Sequence, residues 1–288
     1  MEYNYVEVNK NYFPTKCLNY PADAKIETRM LTVGDAKLLA MLDESNTQQV
    51  IMELLKRCCR FTNMSLQDLY VADKDYLLFF IRSGSFVMQN GYTFTIDHCE
   101  NCKQACTFNV KLSDLQLDCT ETFTKTLQLT NGQIITAKLP RISDPVYKVK
   151  DLELTRLLNY TNVVEIYGSV ENAITELLQL DAMQYVMINN ILDSMKCGIR
   201  EELLVTCPHC NHELLLKWSF SDEDMLSKID IRQLLQDILN IAKYTHYQIN
   251  DDLLYSEFEF IKQIVAKMIE DENSAIEKAQ GKQTFFAR

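Results

Sequence analysis

Cys99-Glu100-Asn101-Cys102 and Cys207-Pro208-His209-Cys210 each carry two thiols at the spacing that grips one edge of a metal's coordination tetrahedron. Thiolates suit zinc, which takes four ligands, so the two pairs together supply one closed shell of Cys99, Cys102, Cys207 and Cys210. The surroundings repeat as well. Each pair is followed by a β-like run, Thr107–Leu112 after the first and Leu214–Phe220 after the second, and each run reaches a Ser-Asp pair, Ser113-Asp114 or Ser221-Asp222. Residues 103–206 separate the knuckles, far more than the roughly 15 to 20 of a compact ribbon. The leading expectation is one structural Zn2+ per chain in a ribbon whose halves are joined by an inserted helical segment. Two other arrangements fit the same residues. The cysteines could be free thiols in a reducing compartment, or each pair could form its own site completed by Cys106, His98, His209 or His212.

A closed four-thiolate shell has no open position for water, whereas a catalytic zinc keeps one. The strongest motif therefore points to scaffold, and a metal-dependent hydrolase would need a different site. No Gly-rich phosphate loop and no Gly-x-Ser-x-Gly elbow occurs, and four histidines make a thin acid–base inventory. No catalytic and no cofactor-binding residues are assigned, and the chain is read as a non-enzyme. Carboxylate pairs such as Asp251-Asp252 are read as helix N-terminal charges opposing the macrodipole, and Asp73, Asp75 and Arg82 as a helix cap with solvated charges.

The elements that must hold the knuckles follow from composition and periodicity. The 288 residues suffice for two domains, and 47% hydrophobic content supports a packed core. A net charge of −11 works against nonspecific nucleic-acid binding and against an anionic membrane surface. Met1-Glu2-Tyr3-Asn4 lacks the basic and apolar regions of a signal peptide, and no run of about 20 apolar residues offers a membrane span. The ten cysteines then read as reduced thiols, with Cys58, Cys59, Cys119 and Cys197 as small buried core residues.

The expected fold class is α+β, a predominantly helical body with a small β region and a split zinc-ribbon-like element. The divisions are an extended, aromatic N-terminal arm (1–30), a helical domain (31–85), a β region with the first knuckle (86–145), a helical insertion (146–202), the second knuckle (203–221) and C-terminal helices (222–288). Helices are expected near Ala36, capped by Thr32 or Asp35; over Thr47–Phe61; after a cap at Asp73 to about Gly84; over Leu152–Tyr160, Val170–Leu180 and Asp181–Met195, with Gly198 as C-cap; from Asp222 or Asp224 through Ile231–Ala242; and from about Asp251. Thr124–Leu129 and Gln133–Leu139, joined through Asn131-Gly132, predict a hairpin.

In this serial order the features resemble a baseplate protein family of T-even-type tailed bacteriophages. Phe13-Pro14-Thr15-Lys16-Cys17-Leu18-Asn19-Tyr20-Pro21 is similar to that family's Leu-Pro-Ser-basic-Gly-x-x-Tyr-Pro stretch, and Leu31–Leu39 to the segment after it. Asp68–Ser83 resembles its most recognisable stretch, followed by the knuckle and the hairpin ending in Lys138-Leu139-Pro140. The likeness covers roughly residues 10 to 145, with the second knuckle as an additional match. Thr15 stands where Ser is usual, Cys17 where Gly is usual, and Ser85-Phe86 where Tyr-Gly is common. The resemblance implies a contractile-tail baseplate hub protein, built into the hub or acting as a chaperone for its assembly. Its partners would be other baseplate and tail hub proteins, with no nucleic acid, membrane or small molecule, in the host cytoplasm during assembly or in the virion tail. The alternative is a zinc-ribbon nucleic-acid-binding regulatory protein, disfavoured by the acidic charge.

Overall fold

A computed structural model describes residues 3–43, 45–86, 92–96, 98–129, 132–217 and 229–286. The chain is mixed α+β. Its elements are β1 (Val6–Glu7), β2 (Lys25–Thr28), α1 (Val33–Leu39), α2 (Thr47–Cys58), β3 (Cys59–Thr62), α3 (Val71–Ser85), β4 (Tyr92–Ile96), β5 (Cys106–Val110), β6 (Leu117–Asp118), β7 (Thr124–Gln128), β8 (Ile134–Lys138), α4 (Leu152–Tyr160), α5 (Val163–Tyr167), α6 (Val170–Leu178), α7 (Ala182–Ser194), β9 (Gly198–Ile199), β10 (Glu202–Thr206), β11 (Glu213–Lys217), α8 (Ile231–Thr245) and α9 (Tyr255–Phe286).

Helix α3 is the axis of the body. Tyr76, Leu77, Leu78, Phe79 and Ile81 are all buried, so apolar contact surrounds it on several sides. Around it lies one continuous core that runs from Val8 through Leu54, Leu139, Leu157 and Ile188 to Phe258 and Val265. The three antiparallel strands β1-β2-β3 close one flank, with Val6 opposite Thr28 and Ile26 opposite Phe61. The helix expected over Thr47–Phe61 ends at Cys58 for this reason. Cys59–Thr62 pairs with β2, and that long-range pairing overrides a locally helical pattern.

Residues 3–30 run along this core and insert side chains into it. Phe13 and Tyr20 are buried, while Tyr3 and Tyr5 lie over the guanidinium groups of Arg29 and Arg60. Asp73 is the anchor of the arrangement. Expected as a solvated helix cap, it is instead fully buried in the first turn of α3, whose N-cap is Tyr70. Its carboxylate accepts from the Thr15 backbone N–H at 3.1 Å, from the Thr15 hydroxyl, and from the Tyr20 hydroxyl at 2.7 Å. The Tyr20 oxygen in turn accepts from Tyr70 N–H at 2.9 Å. The 13–21 stretch and the start of α3, distant in sequence, are thus one hydrogen-bonded unit.

Cys17 lies inside that unit with φ +55°, and Lys16 before it has φ +49°. This is left-handed backbone, which costs a side-chain-bearing residue about 1 kcal/mol and glycine nothing comparable. The turn is therefore built without glycine. Cys17→Gly should relieve the backbone while removing a small buried thiol, and chemical denaturation should find the variant within about 1 kcal/mol of wild type. A loss well beyond that would mean the thiol is held by packing stronger than its burial suggests.

Helix α1 begins at Val33 with Thr32 as N-cap, and Asp35 completes a reciprocal capping box. Asp35 also takes a buried ion pair from Arg29 at 2.6 Å. The backbone N–H groups of Val33 and Gly34 donate to the carbonyls of Leu253 and Asp251, which ties the start of α1 to the approach of α9. A Cβ at Gly34 would come within 3.0 Å of the Asp251 side chain and 3.1 Å of its carbonyl, so any larger residue would push this approach apart by a few tenths of an ångström.

Helix α4 has the predicted bounds, α3 ends at Ser85, next to the expected stop near Gly84, and α7 fills most of the expected Asp181–Met195, with Asp181 as its N-cap. The structure corrects two ends. Gly198 does not cap α7; it opens β9 at φ +140°, and β9 pairs with β6. Helix α8 is capped by Asp230 rather than by Asp222 or Asp224, which lie outside the described residues, as do Asn131, Trp218 and Ser221. Cys119 is exposed rather than a core thiol. No described helix is long and apolar enough to cross a membrane.

Candidate metal centre

Each knuckle is the tip of an antiparallel hairpin. β4 and β5 flank Cys99 and Cys102, with Ile96 opposite Cys106; β10 and β11 flank Cys207 and Cys210, with Thr206 opposite Glu213. The two turns share one backbone design. Cys99 N–H donates to Gln104 O at 2.8 Å and Lys103 N–H to Cys99 O at 2.9 Å. In the second, Cys207 N–H donates to His212 O at 2.8 Å and Asn211 N–H to Cys207 O at 3.0 Å. The fifth residue of each turn is left-handed, Lys103 at φ +61° and Asn211 at φ +57°. The repeat seen in the sequence is therefore a repeat of structure, and each turn aims two thiols the same way.

The fold brings the tips together. The sulfurs of Cys99, Cys102, Cys207 and Cys210 all lie within 4.8 Å of one another and could hold a metal ion. Cys99 Sγ is 3.7 Å from Cys210 Sγ, and Cys102 Sγ is 3.8 Å from Cys207 Sγ. A tetrahedral ion with sulfur bonds of about 2.3 Å requires sulfur–sulfur edges of about 3.8 Å, so the spacing fits. Cys99 and Cys207 are fully buried, while Cys102 and Cys210 are half-buried. Leu214, Phe108 and Val205 pack around them as a small core of their own, separate from the main one.

The two knuckles differ electrostatically. Burial works against the Cys207 thiolate, but backbone N–H groups of His209 and Cys210 outweigh it and bring the thiol down to about 6. The backbone N–H of His212 and the Asn101 side chain lower Cys210 as well. At Cys102 the Gln104 backbone favours the thiolate, yet burial and the neighbouring thiols prevail and push it up to about 12. Burial likewise raises Cys106, to about 11. The second knuckle thus offers its thiolates first, and a bound cation would draw the protons from the first. Elsewhere burial, joined by the Asp73 carboxylate at Cys17 and Cys197, holds Cys17, Cys59 and Cys197 protonated, each at about 12. Those thiols are inert.

His98, His209 and His212 are exposed beside the knuckles, and none joins the sulfur cluster among the described residues. His209 Nε2 lies 3.2 Å from Ala105 O and so fastens one tip to the other. Cys106 is the residue that spacing alone left unplaced. It belongs to the same small core, and its sulfur lies 3.5 Å from Cys207 Sγ.

A family model described as T4 bacteriophage base plate protein matches residues 13–219. The chain belongs to that family. The match opens at Phe13, the buried residue that starts the stretch anchored on Asp73, and takes in both knuckles of this base plate protein. Helices α8 and α9 lie beyond it. No curated protein and no solved structure matches the chain significantly.

A cleft of this base plate protein lies away from the four knuckle thiols, between α4, α7 and β9, with a volume of about 810 Å³. Most of its charged groups are paired: Arg156 with Asp193 at 2.6 Å, Arg200 with Asp118 at 2.7 Å and Glu202 with Lys217 at 3.3 Å. Its one thiol, Cys197, is among the inert ones.

Proposed function

We propose that this protein is a structural or assembly component of the hub of a contractile-tail baseplate, a built-in subunit or a chaperone, acting by protein–protein recognition. A single structural zinc, held by Cys99, Cys102, Cys207 and Cys210, staples two distant hairpins of the body. Zinc is the ion that four thiolates at tetrahedral spacing select. The family match over both knuckles carries the reading. The closed thiolate set and the mostly paired charges of the cleft beside α4 and α7 support a non-enzymatic role. Partners are other baseplate and tail proteins of the same phage, met in the host cytoplasm during assembly and in the tail if the subunit stays. The acidic charge and the small basic complement near the knuckles, where Lys217 pairs with Glu202 at 3.3 Å, weigh against the nucleic-acid alternative.

Native mass spectrometry of the purified protein, alone and with the neighbouring tail gene products, reads metal and partners together. One zinc per chain and a defined complex with a hub protein is the expected result. A metal-free monomer that ignores every tail protein would remove both the staple and the hub assignment.

A further inference from the structure

A fifth sulfur lies beside the four of the metal centre, outside the set whose members all lie within 4.8 Å of one another. Cys106 opens β5, two residues past the hydrogen bond that closes the first turn, and its sulfur is 3.5 Å from Cys207 Sγ. Cys102 Sγ approaches the same Cys207 Sγ at 3.8 Å. Both distances are close to one edge of a zinc–thiolate tetrahedron, about 3.8 Å. Two thiols of the first hairpin therefore stand beside one thiol of the second at the separation of neighbouring zinc ligands. They differ in exposure: Cys106 is 1% exposed, while Cys102 is only half-buried. A thiol serving only as core packing would look into the main apolar core, as Cys58 does; Cys106 instead packs in a small cluster made largely of the other four thiols.

We propose that Cys106 is a reserve zinc ligand that exchanges with Cys102, so that the centre has two four-thiolate sets sharing Cys99, Cys207 and Cys210. This rests on the zinc reading above. In the exchange the bond from zinc to Cys102 sulfur breaks and one to Cys106 sulfur forms. The proton leaving the Cys106 thiol goes to the departing Cys102 thiolate, so charge and ligand count are unchanged and nothing is oxidised. The half-exposed Cys102 thereby becomes the dispensable member. The centre can lose it to alkylation and keep its metal.

Zinc per chain, measured by native mass spectrometry in Cys102→Ser, Cys106→Ser and the double variant, tests this. Each single variant should retain one zinc and the double variant should have none. After cobalt substitution, Cys102→Ser should keep the full sulfur-to-metal charge-transfer intensity. A drop of about a quarter, one thiolate of four, would overturn the proposal. So would a Cys102→Ser protein without metal beside a wild type with one zinc, and that outcome leaves the staple itself standing. A wild type without zinc would fail the staple first. Should Cys102→Ser not fold, maleimide labelling of zinc-loaded wild type decides. Chains carrying the adduct on Cys102 are expected to retain zinc, and their loss of it would end the idea.

Discussion

Cys99→Ser and Cys207→Ser are each expected to destabilise the protein by about 3 kcal/mol or more, and the double variant by little beyond either single one. Both residues are fully buried and sit on opposite hairpins of one sulfur cluster, so either loss opens the shared shell. The second loss then has no bond left to break. The chain-closure effect sets the scale. A cross-link that closes a loop of about 100 residues, here residues 103–206, restricts the unfolded chain by roughly 4 to 5 kcal/mol. A chelator should reproduce the same loss in wild type and change the double variant little. Denaturation curves with and without chelator measure it. Single-variant losses that simply add would mean the knuckles do not share an ion. Because thiols must give up protons to bind, zinc affinity should also fall as pH is lowered, and more steeply below about 6, where Cys207 also competes for a proton.

The second large effect is expected at Asp73. Asp73→Ala removes the acceptor for the Thr15 N–H, the Thr15 hydroxyl and the Tyr20 hydroxyl, all in buried surroundings. Leaving such donors without partners costs about 3 to 5 kcal/mol in total. The pH dependence has a defined sign. Burial raises the Asp73 carboxyl above its ordinary 3.8, although the Thr15 and Tyr20 bonds pull the other way. A carboxyl raised in the folded state contributes most below its unfolded value and loses part of that contribution as pH rises through the folded value. The gap between wild type and Asp73→Ala should therefore be wider near pH 4 than near pH 7. Urea melts at the two values test this, and a gap that widens toward neutral pH would mean that the hydrogen bonds, not burial, govern the carboxyl.

These two sites differ in how far the sequence reveals them. The knuckles are written locally: two thiols three residues apart, a β run after each, and tight turns that the backbone can form only one way. Helices α4 and α7 and the β7–β8 hairpin are equally local, with a cap, a periodic stripe or a Gly turn inside each. Asp73 could not be read this way. An acid in the first turn of a helix looks like a charge facing the helix dipole. Only the docking of residues 13–21 against α3 turns it into a buried acceptor, and no spacing around Asp73 announces Thr15 or Tyr20. Strand β3 was hidden for a related reason, since Cys59–Thr62 continues the apolar rhythm of α2 and becomes extended only through its partner β2. In α8 the expected stripe of Ile231, Leu234, Leu235, Ile238, Ile241 and Ala242 splits, with Leu234 and Ile241 buried and Ile231 and Leu235 exposed, because the neighbouring α9 covers only part of that face. Cys106 is one of four residues that the sequence offers to complete a site, with nothing to rank it above His98, His209 or His212; the packing of the hairpins gives it a neighbour on the other knuckle.

The separation of the two knuckles has a consequence for the newborn chain. At a synthesis rate of about 5 to 20 residues per second, the second pair of cysteines is made roughly 5 to 20 seconds after the first. During that interval the first hairpin carries half a site and lacks the two thiols with the lowered proton affinity. Helices α4 to α7, with their mostly local contacts, are synthesised in the same window. On the zinc reading proposed above, metal capture would be a late event in the chain's life, and the ion would record that both halves have arrived.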